Sequence, residues 1–226
     1  MKKVIIILSI IIALSIAWYL YDTGKFLPKL EEEEEISEEE ELFTFTNMDE
    51  SLSPEIAAGF ERQFYEAVEL IKQEKGALGW AVAGTNKKAV HDFYGAEAIF
   101  LKGLEKYPTS DVLNNNLADL YYHFIEDFNK AEEHFLKVIE LKPALLGSYK
   151  ELAIMYRVRF KDQKKAINIL LTGLENNPQN KELMATLANL YNKYEMTEEA
   201  KAVWQELIEL YPDDKDLFMS ELESLK

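Results

Sequence analysis

The sequence predicts an all-α solenoid of helix-turn-helix units preceded by one transmembrane helix, and three observations carry that prediction. Pro108, Pro143, Pro178 and Pro212 stand 35, 35 and 34 residues apart. Leu117-Ala118, Leu152-Ala153 and Leu187-Ala188 recur at the same period, as do Tyr121, Tyr156 and Tyr191, and Ala96, Ala131, Ala166 and Ala200 keep step with the prolines. Ahead of all of them lies an uncharged run from Val4 to Tyr21. A period in this range is the mark of stacked supersecondary units. One such unit cannot bury its apolar face alone, so neighbours stack and share a continuous core.

The amino-terminal element follows Lys2 and Lys3. Its eighteen uncharged residues would span about 27 Å as a helix, close to the roughly 30 Å of a bilayer's hydrocarbon core. Trp18, Tyr19 and Tyr21 close the run with side chains suited to the headgroup level. Residues 1–21 are therefore read as a signal-anchor helix. A cleaved signal peptide stays open as the alternative, because Ser15-Ile16-Ala17 offers small residues at a cleavage spacing, although the run exceeds the usual 7 to 15 residue apolar region. Lys2 and Lys3 bias the amino terminus towards the cytoplasm, which places the rest of the chain outside it, in a periplasmic space, or secreted if the signal is cleaved.

Residues 22–53 hold twelve acids against Lys25 and Lys29. Runs such as Glu31 to Glu35 and Glu38 to Glu41 repel themselves and bury nothing, so this tract is predicted to be a disordered, extended linker. Leu42-Phe43-Thr44-Phe45-Thr46 interrupts it with alternating apolar residues, which suits either a short docked strand or contact with the first helix.

The helical domain is placed at 54–226. Ser53-Pro54 supplies an N-cap and a first-turn proline, and Ile56, Phe60, Phe64, Ala67 and Ile71 make one apolar stripe that ends near Gly76. Residues 54–108 form an irregular first unit, within which 86–106 also reads as one long helix through Ala89, Phe93, Ala96, Phe100 and Leu104. Regular units follow at 111–143, 146–178 and 181–212, each with a first helix carrying Leu-Ala-x-x-Tyr, a short polar turn and a second helix closed by proline. Phe100, Phe135, Leu170 and Trp204 stand four residues after the alanines as the bulky partners of those small positions. Asp213-Asp214 opens a capping helix over 213–226, with Leu217, Phe218, Leu222 and Leu225 on one side.

Leu-Ala-x-x-Tyr, the alanine, the bulky residue and the proline at these offsets resemble the tetratricopeptide repeat, a 34-residue helix-turn-helix family. Units two and three depart from its pattern by one extra residue between tyrosine and alanine, expected to lengthen the turn; Val138, Gly173 and Leu207 occupy the later small position; and Lys87 stands where the first unit's tyrosine belongs. The resemblance implies that the first helices line a concave groove. Its exposed residues would be Asn115, Asp119, Tyr122 and His123, then Lys150, Ile154 and Arg157, then Asn189, Asn192 and Lys193. Lysine and arginine would give charge-assisted hydrogen bonds to carboxylates, and asparagine would pair with an extended peptide backbone.

A formal charge of −16 with no lysine or arginine cluster removes the phosphate-neutralising term that dominates nucleic-acid affinity, so no nucleic-acid partner is expected. Cysteine is absent, which excludes disulfides, thiolate zinc sites and a cysteine nucleophile. His91, His123 and His134 are too scattered for a metal site, and no acid, serine or threonine sits in a catalytic pattern. No cofactor and no enzymatic activity are expected. The reading is a membrane-anchored scaffold or chaperone-like adaptor of the cell envelope that binds a protein or peptide partner, with a cytosol-facing targeting receptor as the alternative.

Overall fold

The computed structural model describes residues 38–225; the predicted span over 4–21, the acidic tract as far as residue 37, and Lys226 lie outside the described residues. The chain divides into two compact units, Met1–Glu41 and Leu42–Lys226. The described part of the first is the beginning of a short helix, α1 (Glu38–Leu42). Among the described residues there is no strand, and no helix is long and apolar enough to cross a membrane.

The second unit is a run of antiparallel helices. After α2 (Pro54–Lys72) come the pairs α3 (Ala77–Ala89) and α4 (Phe93–Lys106), α5 (Asp111–Leu120) and α6 (Phe128–Leu141), α7 (Leu146–Met155) and α8 (Gln163–Asn176), and α9 (Lys181–Lys193) and α10 (Thr197–Leu210). A 3₁₀ turn at Pro212–Asp214 leads into α11 (Lys215–Ser224). Local chemistry sets the boundaries. Ser53 accepts a hydrogen bond from Ile56 N at 3.4 Å, with Pro54 in the first turn. Asp92, Asp127 and Asp162 cap α4, α6 and α8 by accepting from the amide three residues on, at 2.9, 3.1 and 2.9 Å. Just before these caps, His91, Glu126 and Lys161 take left-handed backbone, as does Glu195 before α10, which stops one helix and turns the chain into the next.

Two expectations are corrected here. The single long helix over 86–106 does not form, because the left-handed His91 and the Asp92 cap divide it into α3 and α4. The extra residue of units two and three does not lengthen the turn. It is taken up inside the first helix, which widens into π-helical turns at Tyr121–Ile125 and Tyr156–Phe160, whereas the shorter fourth unit stays α-helical to Lys193. Insertion of one residue into an i→i+4 ladder is what a π turn absorbs.

Ala96, Ala131, Ala166 and Ala200 are all fully buried, and Phe100, Phe135, Leu170 and Trp204 are buried beside them. One core runs from Phe64 in α2 to Leu190 in α9, while Met184, Ala188, Trp204, Leu207 and Phe218 form a second, smaller one. Residues 42–49 belong to the tract read as linker, with Leu42 to Thr46 expected to dock as a strand or to contact the first helix; they form no strand and lie along the start of the stack. Phe43 meets Trp80 and Phe45 meets Phe64 at ring separations of 5.9 and 5.4 Å, and Met48 N donates to Val90 O at 3.0 Å. Lys87 explains the missing tyrosine of the first unit. It is buried, and its Nζ holds Asp92 at 2.7 Å and the carbonyl of Thr44 at 2.8 Å.

Candidate functional site

The first helices α3, α5, α7 and α9 present a continuous face, because the repeat period places residues of like register side by side. One such row is Lys88, Tyr122, Arg157 and Asn192; another is Thr85, Asp119, Ile154 and Asn189. Side chains bridge neighbouring helices along this face. Lys88 Nζ of α3 lies 2.6 Å from Asp119 Oδ2 of α5, and Lys150 of α7 is ion-paired with Glu182 of α9.

The predicted groove residues separate into paired, buried and open groups. Asp119 is committed to Lys88 and lies 3.8 Å from His123 Nε2, and Lys150 is committed to Glu182. Tyr122, expected on the open surface, is instead 7% exposed and packs edge-on against Phe128 and Phe135. It stands within the π turn that begins at Tyr121. Asn115, His123, Ile154, Asn189, Asn192 and Lys193 are exposed, and Arg157 is half-buried. Arg157 and Lys193 form no salt bridge among the described residues.

Arg157 lies within electrostatic reach of two tyrosines from different units. Burial raises the Tyr122 phenol above its usual value, with Glu151 pushing the same way and Arg159 and Arg157 pulling it back. Burial likewise raises Tyr194, against the pull of Arg157. Both phenols therefore stay neutral hydrogen-bonding groups at ordinary pH, with Arg157 within electrostatic reach of each. Arg159 also serves this site: it hydrogen-bonds the Tyr122 phenol, covers the Phe128 ring at 4.7 Å and lies 3.9 Å from Glu126. What such a half-buried, tyrosine-flanked guanidinium can do is bind an anion, most tightly a carboxylate that meets its planar fork.

Lys88, Glu151, Glu182 and Tyr194 shape this face and were missed by sequence reasoning. Lys88 was within reach, since it stands 34 residues before Tyr122 in the same row. The pairing of Lys150 with Glu182 crosses two units, and only the packing of α7 beside α9 reveals it. The histidines are apart: His91 lies 3.5 Å from Asp49, His123 beside Asp119, and His134 bonds Asn114 at 2.9 Å.

Residues 113–145 match the family model described as tetratricopeptide repeat. No curated protein sequence matches the chain. Among solved structures, it is similar to YrrB, titled a tetratricopeptide-repeat protein with an unusual peptide-binding site, at 17% identity and a TM-score of 0.50, over 71% of this chain and 84% of that one. A tetratricopeptide-repeat protein from Parabacteroides merdae ATCC 43184 matches at 16% identity and 0.51, over 75% and 72%. The MamA RS-1 ArsTM double mutant matches at 16% and 0.51, over 79% and 98%. At such identities the likeness establishes the architecture, an all-α solenoid of the tetratricopeptide-repeat kind.

Proposed function

We propose that this chain is a non-catalytic scaffold that binds a carboxylate-bearing peptide segment across its first helices. The observation that carries the proposal is Arg157, half-buried on this face and without a salt bridge among the described residues, while the neighbouring Lys88 and Lys150 are already paired with carboxylates. Lys193 adds a second cation one unit on, and Asn189 and Asn192 offer amides to an extended backbone. YrrB is described as having an unusual peptide-binding site, and a similar fold supports looking for one here. The overall charge of −16 repels an acidic partner at long range, so selectivity arises from close contacts rather than from steering.

Reversing both charges, Arg157→Glu with Lys193→Glu, is expected to abolish partner capture in a crosslinking pull-down while helical content and Tm stay unchanged. Undiminished capture by the double variant moves the binding site off this face. The proposal extends to an adaptor or chaperone-like role in the cell envelope, with residues 1–21 as the anchor and the helical domain outside the cytoplasm. The chain should then stay in the membrane fraction after carbonate washing. A mature amino terminus at Trp18 establishes secretion instead.

A further inference from the structure

The second helices carry an apolar row of their own. Leu101 of α4, Leu136 of α6 and Leu171 of α8 stand 35 residues apart and are 40%, 42% and 39% exposed. Each follows the buried bulky residue of its helix and points away from the core, so none of the three serves the packing that Phe100, Phe135 and Leu170 provide. Single exposed leucines are ordinary on any surface, but these three recur at one register on consecutive second helices. These helices lie side by side, as shown by Lys130 of α6 reaching Glu97 of α4 and Lys165 of α8 reaching Glu132 of α6, at 3.1 and 2.8 Å.

One turn beyond each leucine stands an exposed glutamate, Glu105, Glu140 and Glu175. The first two have an i,i+3 lysine neighbour at 2.7 and 2.8 Å. Such exposed pairs exchange readily for a better-placed cation. A leucine row bordered by a carboxylate row complements one kind of surface, an amphipathic helix with an apolar stripe and lysine or arginine beside it. A second copy of this chain is a poor occupant, because a protein of charge −16 meeting itself sets acid against acid.

We propose that the second-helix face is a separate docking surface for a cationic amphipathic helix, with Leu101, Leu136 and Leu171 as its apolar anchors and Glu105, Glu140 and Glu175 as its charge partners. This surface is carried by the second helices, whereas the one assigned to the carboxylate-bearing segment is carried by the first. It would let one chain hold two partners of opposite charge.

The test titrates the full chain with an end-blocked leucine-lysine peptide whose leucines recur at i, i+3, i+4 and i+7, against a shuffled peptide of the same composition. The amphipathic peptide is expected to bind at least tenfold tighter than the shuffled one. Replacing the three leucines by serine should remove that preference, and Glu105→Gln, Glu140→Gln and Glu175→Gln together should weaken binding and flatten its salt dependence. Arg157→Glu with Lys193→Glu should leave it unchanged, which separates this proposal from the one for the first helices. Equal binding of the two peptides, or undiminished preference in the serine variant, overturns the proposal. Self-association of the chain that the serine substitutions abolish also overturns it, in favour of a second copy as occupant.

Discussion

Val138 and Ser148 are both buried, and they occupy in the second and third units the register positions of Gly103 with Leu113 and of Gly173 with Leu183. A methyl group added at Gly103 or Gly173 would come within 2.9 or 3.0 Å of the facing leucine's Cδ1, so a large residue on one helix requires a small one on the other. The pair Val138 and Ser148 meets that requirement with the sizes exchanged. Ser148 Oγ is left without a hydrogen-bond partner, a state that costs about 1–3 kcal/mol for a buried hydroxyl. Ser148→Ala is therefore expected to be neutral or to stabilise by about 1 kcal/mol in chemical denaturation. Ser148→Leu alone should overpack at a cost of about 1–3 kcal/mol, and combining it with Val138→Gly should recover much of that loss, read as coupling in a double-mutant cycle. Simple additivity would show that the two residues do not share one space. His134 offers a second test at this scale. Burial, more than the opposing pull of Glu133 or the push of Lys130, lowers its pKa, and the ring stacks on Tyr121 with Asn114 as its hydrogen-bond partner. Since the folded imidazole resists protonation, the unfolded chain takes up the proton first as pH falls below about 6.5. Stability from this group is complete above that pH and declines beneath it until the lower folded value is passed. Loss of stability between pH 7 and 5 should be shallower in His134→Gln than in wild type; identical slopes would clear His134 of the effect.

Among the second helices, α10 begins differently from the others. Met196 holds the N-cap backbone conformation, φ −87° and ψ 66°, close to the −79° and 71° of Asp92, yet no side chain caps the helix. Asp92, Asp127 and Asp162 are spaced as the repeat demands, and Met196 stands at the next step. Met196→Asp should accept a hydrogen bond from Glu199 N and stabilise the chain by about 0.5–2 kcal/mol, visible as a raised Tm, and no gain would mean that the loss of the Met196 contact with Gln163 offsets the cap. The joints between units show the same kind of departure. Tyr121 Oη donates to Glu97 at 2.6 Å while Lys130 binds that carboxylate and covers the tyrosine ring at 4.7 Å. One unit later Tyr156, Glu132 and Lys165 repeat the arrangement at 2.7, 2.8 and 5.0 Å. Burial and then the carboxylate push both phenols far up, so these bonds persist at any ordinary pH. At the third joint Ile167 replaces the glutamate and Glu199 the lysine, and Tyr191 is left with a half-buried ring and a repelling acid.

Across the whole molecule, what the sequence made legible is what the period controls. The alanines, the bulky residues behind them, the tyrosines and the prolines locate the paired helices closely enough to stack the units, because burial of a shared face repeats with the chain. The π turns at Tyr121 and Tyr156 were visible as an extra residue but not as a conformation, since a one-residue insertion can enter a turn or a helix, and backbone packing decides. Tyr122 was read as open, whereas its ring packs on Phe128 and Phe135, and part of the candidate site moved with it. Lys87 was visible as an exception; that it clamps Thr44 and Asp92 depends on a segment that composition alone marked as linker. The two ends of the stack consequently differ. The first is closed by residues 42–49 on Phe64 and Trp80 and by the Met48 N to Val90 O bond. The last, α10 with α11, rests on the small second core, lacks the tyrosine-glutamate-lysine joint and begins without a cap. In a linear array each unit is held only by its neighbours, so opening should start where the interface is weakest and cost less than global unfolding. Native-state hydrogen exchange is expected to show the amides of α10 and α11 opening at lower free energy than those of α4, α5, α6 and α8, with Met196→Asp narrowing the difference. Uniform protection along the chain would mean that the third joint transmits cooperativity as well as the first two, and that the missing carboxylate and lysine cost the stack nothing.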